Sequence, residues 1–144
     1  MKKLLLFLIL VTAFAQNSFA AKGTMIEAAL LDASPTSVTS EATDFSGANR
    51  VGFYVAYDET QVGGVSAAVT LETSFDGTNF VAASFYDFAG GATFQTSETL
   101  TADGYYYFWV NADSPFRYLR VKVTATGSDA DDTVLTTVNF VTEQ

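Results

Sequence analysis

The chain has 144 residues, with seven Lys and Arg against sixteen Asp and Glu, a net charge of −9 at pH 7, and neither His nor Cys. Without those two residues it lacks the usual general base, thiol nucleophiles, disulfides and most transition-metal sites. An acidic surface also repels phosphate backbones and anionic lipid, which argues against nucleic-acid binding and peripheral membrane attachment.

The first twenty residues read as a secretory leader. Lys2 and Lys3 form a positive start, Leu4–Phe14 is an apolar run, and Ser18-Phe19-Ala20 is a small-x-small cleavage site with the cut before Ala21. An apolar run of about a dozen residues is shorter than the roughly 17–25 a spanning helix needs. Cleavage leaves one expected domain, residues 21–144, with five Lys and Arg against sixteen Asp and Glu, a net charge of −11. Without cysteine it has neither a lipid-anchor site nor disulfides, yet about 124 residues suffice to build a core. No Asn-x-Ser/Thr acceptor occurs. The expected location is therefore the periplasm or outer surface of a bacterium, or a virion. Gly23-Thr24-Met25-Ile26-Glu27 faintly matches a prepilin cleavage site, but its hydrophobic segment lies on the wrong side of the glycine.

From Ala21 onward the pattern is one of short strands. Lys22–Leu31 fits a first edge strand better than a helix ended by Pro35, and Ser34–Ala48 reads as a short edge strand followed by a turn at Asp44–Gly47. Arg50–Tyr57 alternates strictly, with Val51, Phe53, Val55 and Tyr57 inward. Val69–Phe85 predicts a β-hairpin: Val69, Leu71, Thr73 and Phe75 share one side, Asp76-Gly77-Thr78-Asn79 turns the chain, and Phe80, Val81 and Ala82 return it. Phe85–Gly91 reads as the glycine-ended loop that closes this hairpin, and Ala92–Leu100 as another short strand. Asp103-Gly104 turns into Tyr105–Asn111, where five consecutive rings cannot all face one core. Either Tyr105, Tyr107 and Trp109 or Tyr106, Phe108 and Val110 must look outward. Phe116–Thr124 places Leu119, Val121 and Val123 inward and gathers Arg117, Arg120 and Lys122. After the acidic loop Gly127–Asp132, Val134–Val141 points Val134, Thr136, Val138 and Phe140 inward. About eight or nine strands with no crossover helix call for an all-β fold, a single antiparallel β-sandwich or jelly roll.

The chemistry left to such a chain is narrow. A carboxylate-only hydrolase needs one acid held protonated, whereas these Asp and Glu fall in turns or at outward positions. Asp129, Asp131 and Asp132 could contribute hard oxygens to calcium; Asp76 lacks the alternating acidic spacing of a calcium loop. Tyr105, Tyr107 and Trp109 share one strand face and admit three placements. They belong to the core, to an interface with another protein, or to a platform that stacks sugar rings.

Two segments carry a resemblance. Val69-x-Leu71-Glu72-x-Ser74-x-Asp76-Gly77-Thr78-Asn79-Phe80, followed by Phe116-Arg117-Tyr118-Leu119-Arg120-Val121-Lys122-Val123-Thr124, resembles small β-sandwich proteins of phage and prophage type and carbohydrate-binding-like, discoidin-like modules. The resemblance implies a sandwich fold and a structural or binding role, and its motifs are structural rather than catalytic. Tailed-phage virion parts normally assemble in the cytoplasm, so the leader points to an exported host or prophage-encoded relative. The expected function is an exported, non-catalytic structural or interaction protein that packs against copies of itself or another surface component. A carbohydrate-binding module using the exposed aromatics is the alternative, and a carboxylate-only hydrolase the third reading.

Overall fold

The computed structural model describes residues 21–32, 36–59, 65–87, 94–111, 117–127 and 133–143. They contain twelve strands and no helix: β1 (Lys22–Leu31), β2 (Ser37–Thr39), β3 (Thr43–Asp44), β4 (Arg50–Glu59), β5 (Ser66–Ser74), β6 (Val81–Ala82), β7 (Phe85–Asp87), β8 (Phe94–Gln95), β9 (Ser97–Leu100), β10 (Gly104–Asn111), β11 (Tyr118–Thr126) and β12 (Val134–Glu143). One sheet runs β1-β12-β4-β10-β7-β8. The other runs β2-β11-β5-β6, with β3 also on β11 and β9 also on β5. All of these pairings are antiparallel. The fold is an all-β sandwich.

Period-two patterning builds the core between the sheets. Val51, Phe53, Val55, Phe108, Val110 and Val138 from the first sheet face Val69, Leu71, Leu100, Leu119, Val121 and Val123 from the second, all buried. Each such side chain contributes roughly 1.5–3 kcal/mol by leaving water. Edge-to-face rings close the ends: Phe85 lies 5.0 Å from Phe108, and Phe45 lies 5.0 Å from Phe140.

Three expectations need correction. The strands number twelve among the described residues because Ser34–Ala48 and Ala92–Leu100 each divide into two pieces and Phe85–Asp87 forms a strand of its own. Between β2 and β3, Ser40 stands in for ladder pairing: its N–H donates to Val121 O and its Oγ accepts from Val121 N–H. Val69–Phe85 is a hairpin only at its start. β6 pairs with β5 through Glu72↔Ala82 and Thr73↔Val81, after which the chain crosses to the other sheet. Phe85 is therefore strand β7 beside β10, not part of a closing loop.

The third correction is Phe75, which is 68% exposed, while Ser74 is buried. The turn explains the change of parity. Ser74 Oγ accepts from Gly77 N–H and donates to Asp76 Oδ1, so its side chain is drawn under the turn and Phe75 is thrown outward.

The outer face of the second sheet is polar. Arg120 lies opposite Glu72 and donates to it from Nε at 2.6 Å, while its guanidinium carbon sits 3.9 Å from the centre of the Phe80 ring. Lys122 lies opposite Thr70 in the next row. The first sheet's outer face has a different character.

Candidate functional site

On the outer face of the first sheet, directly opposed residues of antiparallel neighbours share a side and form rows. Val141, Gly52 and Trp109 make one row, Asn139, Tyr54 and Tyr107 the next, and Thr137, Ala56 and Tyr105 the third. Trp109 is also opposite Tyr86 on β7, and Tyr86 opposite Phe94 on β8, so the first row extends across the sheet. Six aromatic side chains thus occupy one face, and the charge in these rows is Lys22 on the edge strand β1, opposite Val141 and away from the rings.

The rings pack on one another rather than standing alone. Tyr54 stacks on Tyr105 at 5.1 Å and 20°, and meets Tyr107 at 5.0 Å and 64°. Tyr86 and Phe94 are 5.5 Å apart in edge geometry. Such pairs contribute about 0.5–1.5 kcal/mol each beyond burial. Desolvation, and then the neighbouring Tyr105 and Tyr107 phenols, push the Tyr54 hydroxyl above the ordinary tyrosine range. Trp109 lies across Gly52: a Cβ built there would come within 3.1 Å of Trp109 Cζ3 and 3.2 Å of Val141 Cγ1. Glycine inside a strand costs stability, and here the close approach of the indole explains it. A recess of about 120 Å³ lies among Gly52, Tyr107, Trp109, Asn139 and Val141.

The sequence left two parities open, and the structure resolves them. Tyr106, Phe108 and Val110 face the core, half-buried in the first case and buried in the other two. Tyr105 is 67% exposed, Tyr107 53% exposed, and half-buried Trp109 lies outside the core cluster. The three are brought together as one strip along β10. Tyr54, Tyr86 and Phe94 join them and were not foreseen. Tyr54 was within reach of the sequence, since it occupies the outward parity of Arg50–Tyr57. Tyr86 and Phe94 were not, because nothing local reveals which sheet their short strands join.

Asp129, Asp131 and Asp132 lie outside the described residues, among which no group of three His, Cys, Asp or Glu could hold a metal ion. Asp76 is occupied by its own turn. Oδ1 accepts from the N–H groups of Thr78 and Asn79 at 2.8 Å each, and Oδ2 accepts from Asn79 Nδ2 at 2.7 Å. Those donors hold its carboxyl well below the usual range. Asp44, bonded by Arg117 Nε and Nη2 at 3.0 and 2.9 Å, is lowered to about 2. A glycosidic general acid requires the opposite shift.

No protein-family model matches the chain. No curated protein matches it in sequence. Solved structures match its fold. The SPBc2 prophage-derived protein YomS is 13% identical with a TM-score of 0.64, over 90% of this chain and 96% of YomS. The PBSX exported protein XepA is 10% identical with a TM-score of 0.65, over 90% of this chain but only 39% of XepA. A carbohydrate-binding module, TmCBM61, bound to β-1,4-galactotriose, is 14% identical over 92% of this chain and 93% of that one, at a TM-score of 0.35. The chain thus shares its sandwich fold with the prophage-derived YomS and the exported XepA, as the two sequence segments implied.

Proposed function

We propose that this chain is an exported, non-catalytic structural or interaction protein, a single sandwich of residues 21–144 released by cleavage of residues 1–20. Its working surface is the outer face of the sheet containing β4 and β10. The observation that carries the reading is the charge-free aromatic field around Tyr54, with Tyr105, Tyr107 and Phe94 more than half exposed. Tyr and Trp are enriched where proteins meet, because they bring large apolar area with few rotatable bonds. The recess of about 120 Å³ is well below the roughly 300–1,000 Å³ that encloses a small ligand. A flat partner suits this face better. The fold likeness to prophage-derived YomS and exported XepA supports a location outside the cytoplasm or on a virion.

The test is light scattering on the chain beginning at Ala21, which retains all the described strands. It is run with and without calcium because of Asp129, Asp131 and Asp132. The expected result is a mass above the monomer that rises with concentration and is lost in Tyr107→Asp. A second reading rests on Asn139, which lines the recess together with Tyr107 and Trp109 and whose Oδ1 accepts from Thr24 Oγ1: rings that share a recess with a polar amide suit a sugar. A glycan array with Trp109→Ala as control decides it, and binding indifferent to that substitution removes it.

A further inference from the structure

The outward residues of β4 read Arg50, Gly52, Tyr54, Ala56, Asp58. Tyr54 is the midpoint. On either side of it stand a small residue and then a charge, and the two charges have opposite sign. An isologous contact requires that where residue i meets j, j also meets i. We propose that the protein pairs with a second copy of itself, this face laid on its counterpart across a two-fold axis over Tyr54; the proposal rests on the reading of this face just given.

An axis lying in the plane of the face and perpendicular to β4 reverses the strand while keeping each strand over its own copy. Tyr54 then meets the partner's Tyr54, the Trp109 indole that covers Gly52 lies over the partner's Ala56, and Arg50 meets the partner's Asp58 at both ends. The register carries the same operation outward. Tyr107 lies opposite Tyr54, so it meets its own copy, and Trp109 meets the partner's Tyr105. Asn139 also lies opposite Tyr54 and meets its own copy on the other side. At the rim of that strand Leu135 meets the partner's Glu143, where solvent is within reach. The alternative axis, parallel to the strand, would set Arg50 against the partner's Arg50 and Asp58 against the partner's Asp58. Like charges facing one another disfavour it.

Arg50 is free to take this role. Its pairing with Glu143 within the chain is loose at 3.8 Å, with the two side chains 67% and 53% exposed. Asp58 is exposed as well. The aligned packing of two sheets at about 10 Å is the ordinary way such faces meet. Nine residues of strand and four neighbouring strands give a face of roughly 27 by 19 Å, on the order of 1,000 Å² over both copies. That area is at the low end for specific contacts, so the pair is a reversible dimer.

Sedimentation equilibrium of the chain from Ala21 tests it, with circular dichroism confirming that each variant is folded. Arg50→Asp and Asp58→Arg should each weaken the dimer about tenfold, because each sets like charges together at both ends. The double variant R50D/D58R should return to within about threefold of the parent. A dimer abolished by Tyr107→Asp but unchanged by single charge reversals overturns the two-fold arrangement and leaves the face as an interaction surface. A dimer that survives Tyr107→Asp places association elsewhere and overturns both readings, as does a parent that stays monomeric at every concentration.

Discussion

Thr136 is buried on the inner side of β12, and its Oγ1 has no hydrogen-bond partner among the described residues. A hydroxyl taken from water without compensation costs about 1–3 kcal/mol. Thr136→Val keeps the branched shape and removes that cost. Urea unfolding should show a gain of about 1 kcal/mol with an unchanged slope; a loss of stability would mean that the hydroxyl is satisfied in the folded protein. Gly52 makes the opposite case. It reads in the sequence as an unremarkable outward position, and its reason appears only when β10 is laid beside it and Trp109 covers it. Gly52→Val should displace the indole and destabilise the fold by about 1–3 kcal/mol, as overpacking does. Trp109 is the sole tryptophan, so its emission reports the displacement directly as a red shift. Unchanged emission would mean that the indole does not rest on Gly52.

At the level of elements, legibility followed the length of the strand. β4, β11 and β12 are each nine or more residues with regular alternation, and their inward sets were readable before any pairing was known, whereas β10, aromatic on both faces, left its two parities open until its partners were known. β6, β7 and β8 have two or three residues each, too few for a period, and their sheet is decided by partners far along the chain. The Asp76 turn shows how a local motif can be read correctly and still mislead at its edge. Its Asp-Gly signal holds, with Gly77 at a φ of 73°, but the same turn recruits Ser74 and inverts the parity at Phe75. Its electrostatics give an acid-range prediction. Their hydrogen-bond donors hold the Asp76 and Asp44 carboxyls below the ordinary aspartate range, so the folded state binds fewer protons than the unfolded state. The stability they confer is present above about pH 4 and declines as pH falls toward 2. In thermal melts across that window, D44N/D76N should be less stable than the parent at pH 6, with the difference shrinking steadily toward pH 2. A constant difference would trace their effect to something other than ionisation.

For the whole molecule, the two outer faces and the net charge work against each other. One face carries Arg120, Glu72 and Lys122 and suits water; the other is aromatic and charge-free through its centre. With the leader removed as proposed, the chain has five positive and sixteen negative residues, a net charge of −11. Two such bodies with centres roughly 30 Å apart repel by about 17 kcal/mol in unscreened water. Salt reduces this to about 6 kcal/mol at 0.01 M and below about 1 kcal/mol at 0.15 M. The two Arg50–Asp58 contacts of the proposed pair are exposed and contribute roughly 0–1 kcal/mol each. Repulsion therefore wins at low salt, although the contacts at the ends of the face are attractive. The dimer should tighten markedly between 0.01 and 0.15 M salt and change little beyond, where the repulsion is already screened and the loss of the end contacts begins to offset it. Sedimentation across that range checks the balance. A dimer that weakens steadily with added salt would mean that the end contacts, not the aromatic field, hold the two copies together.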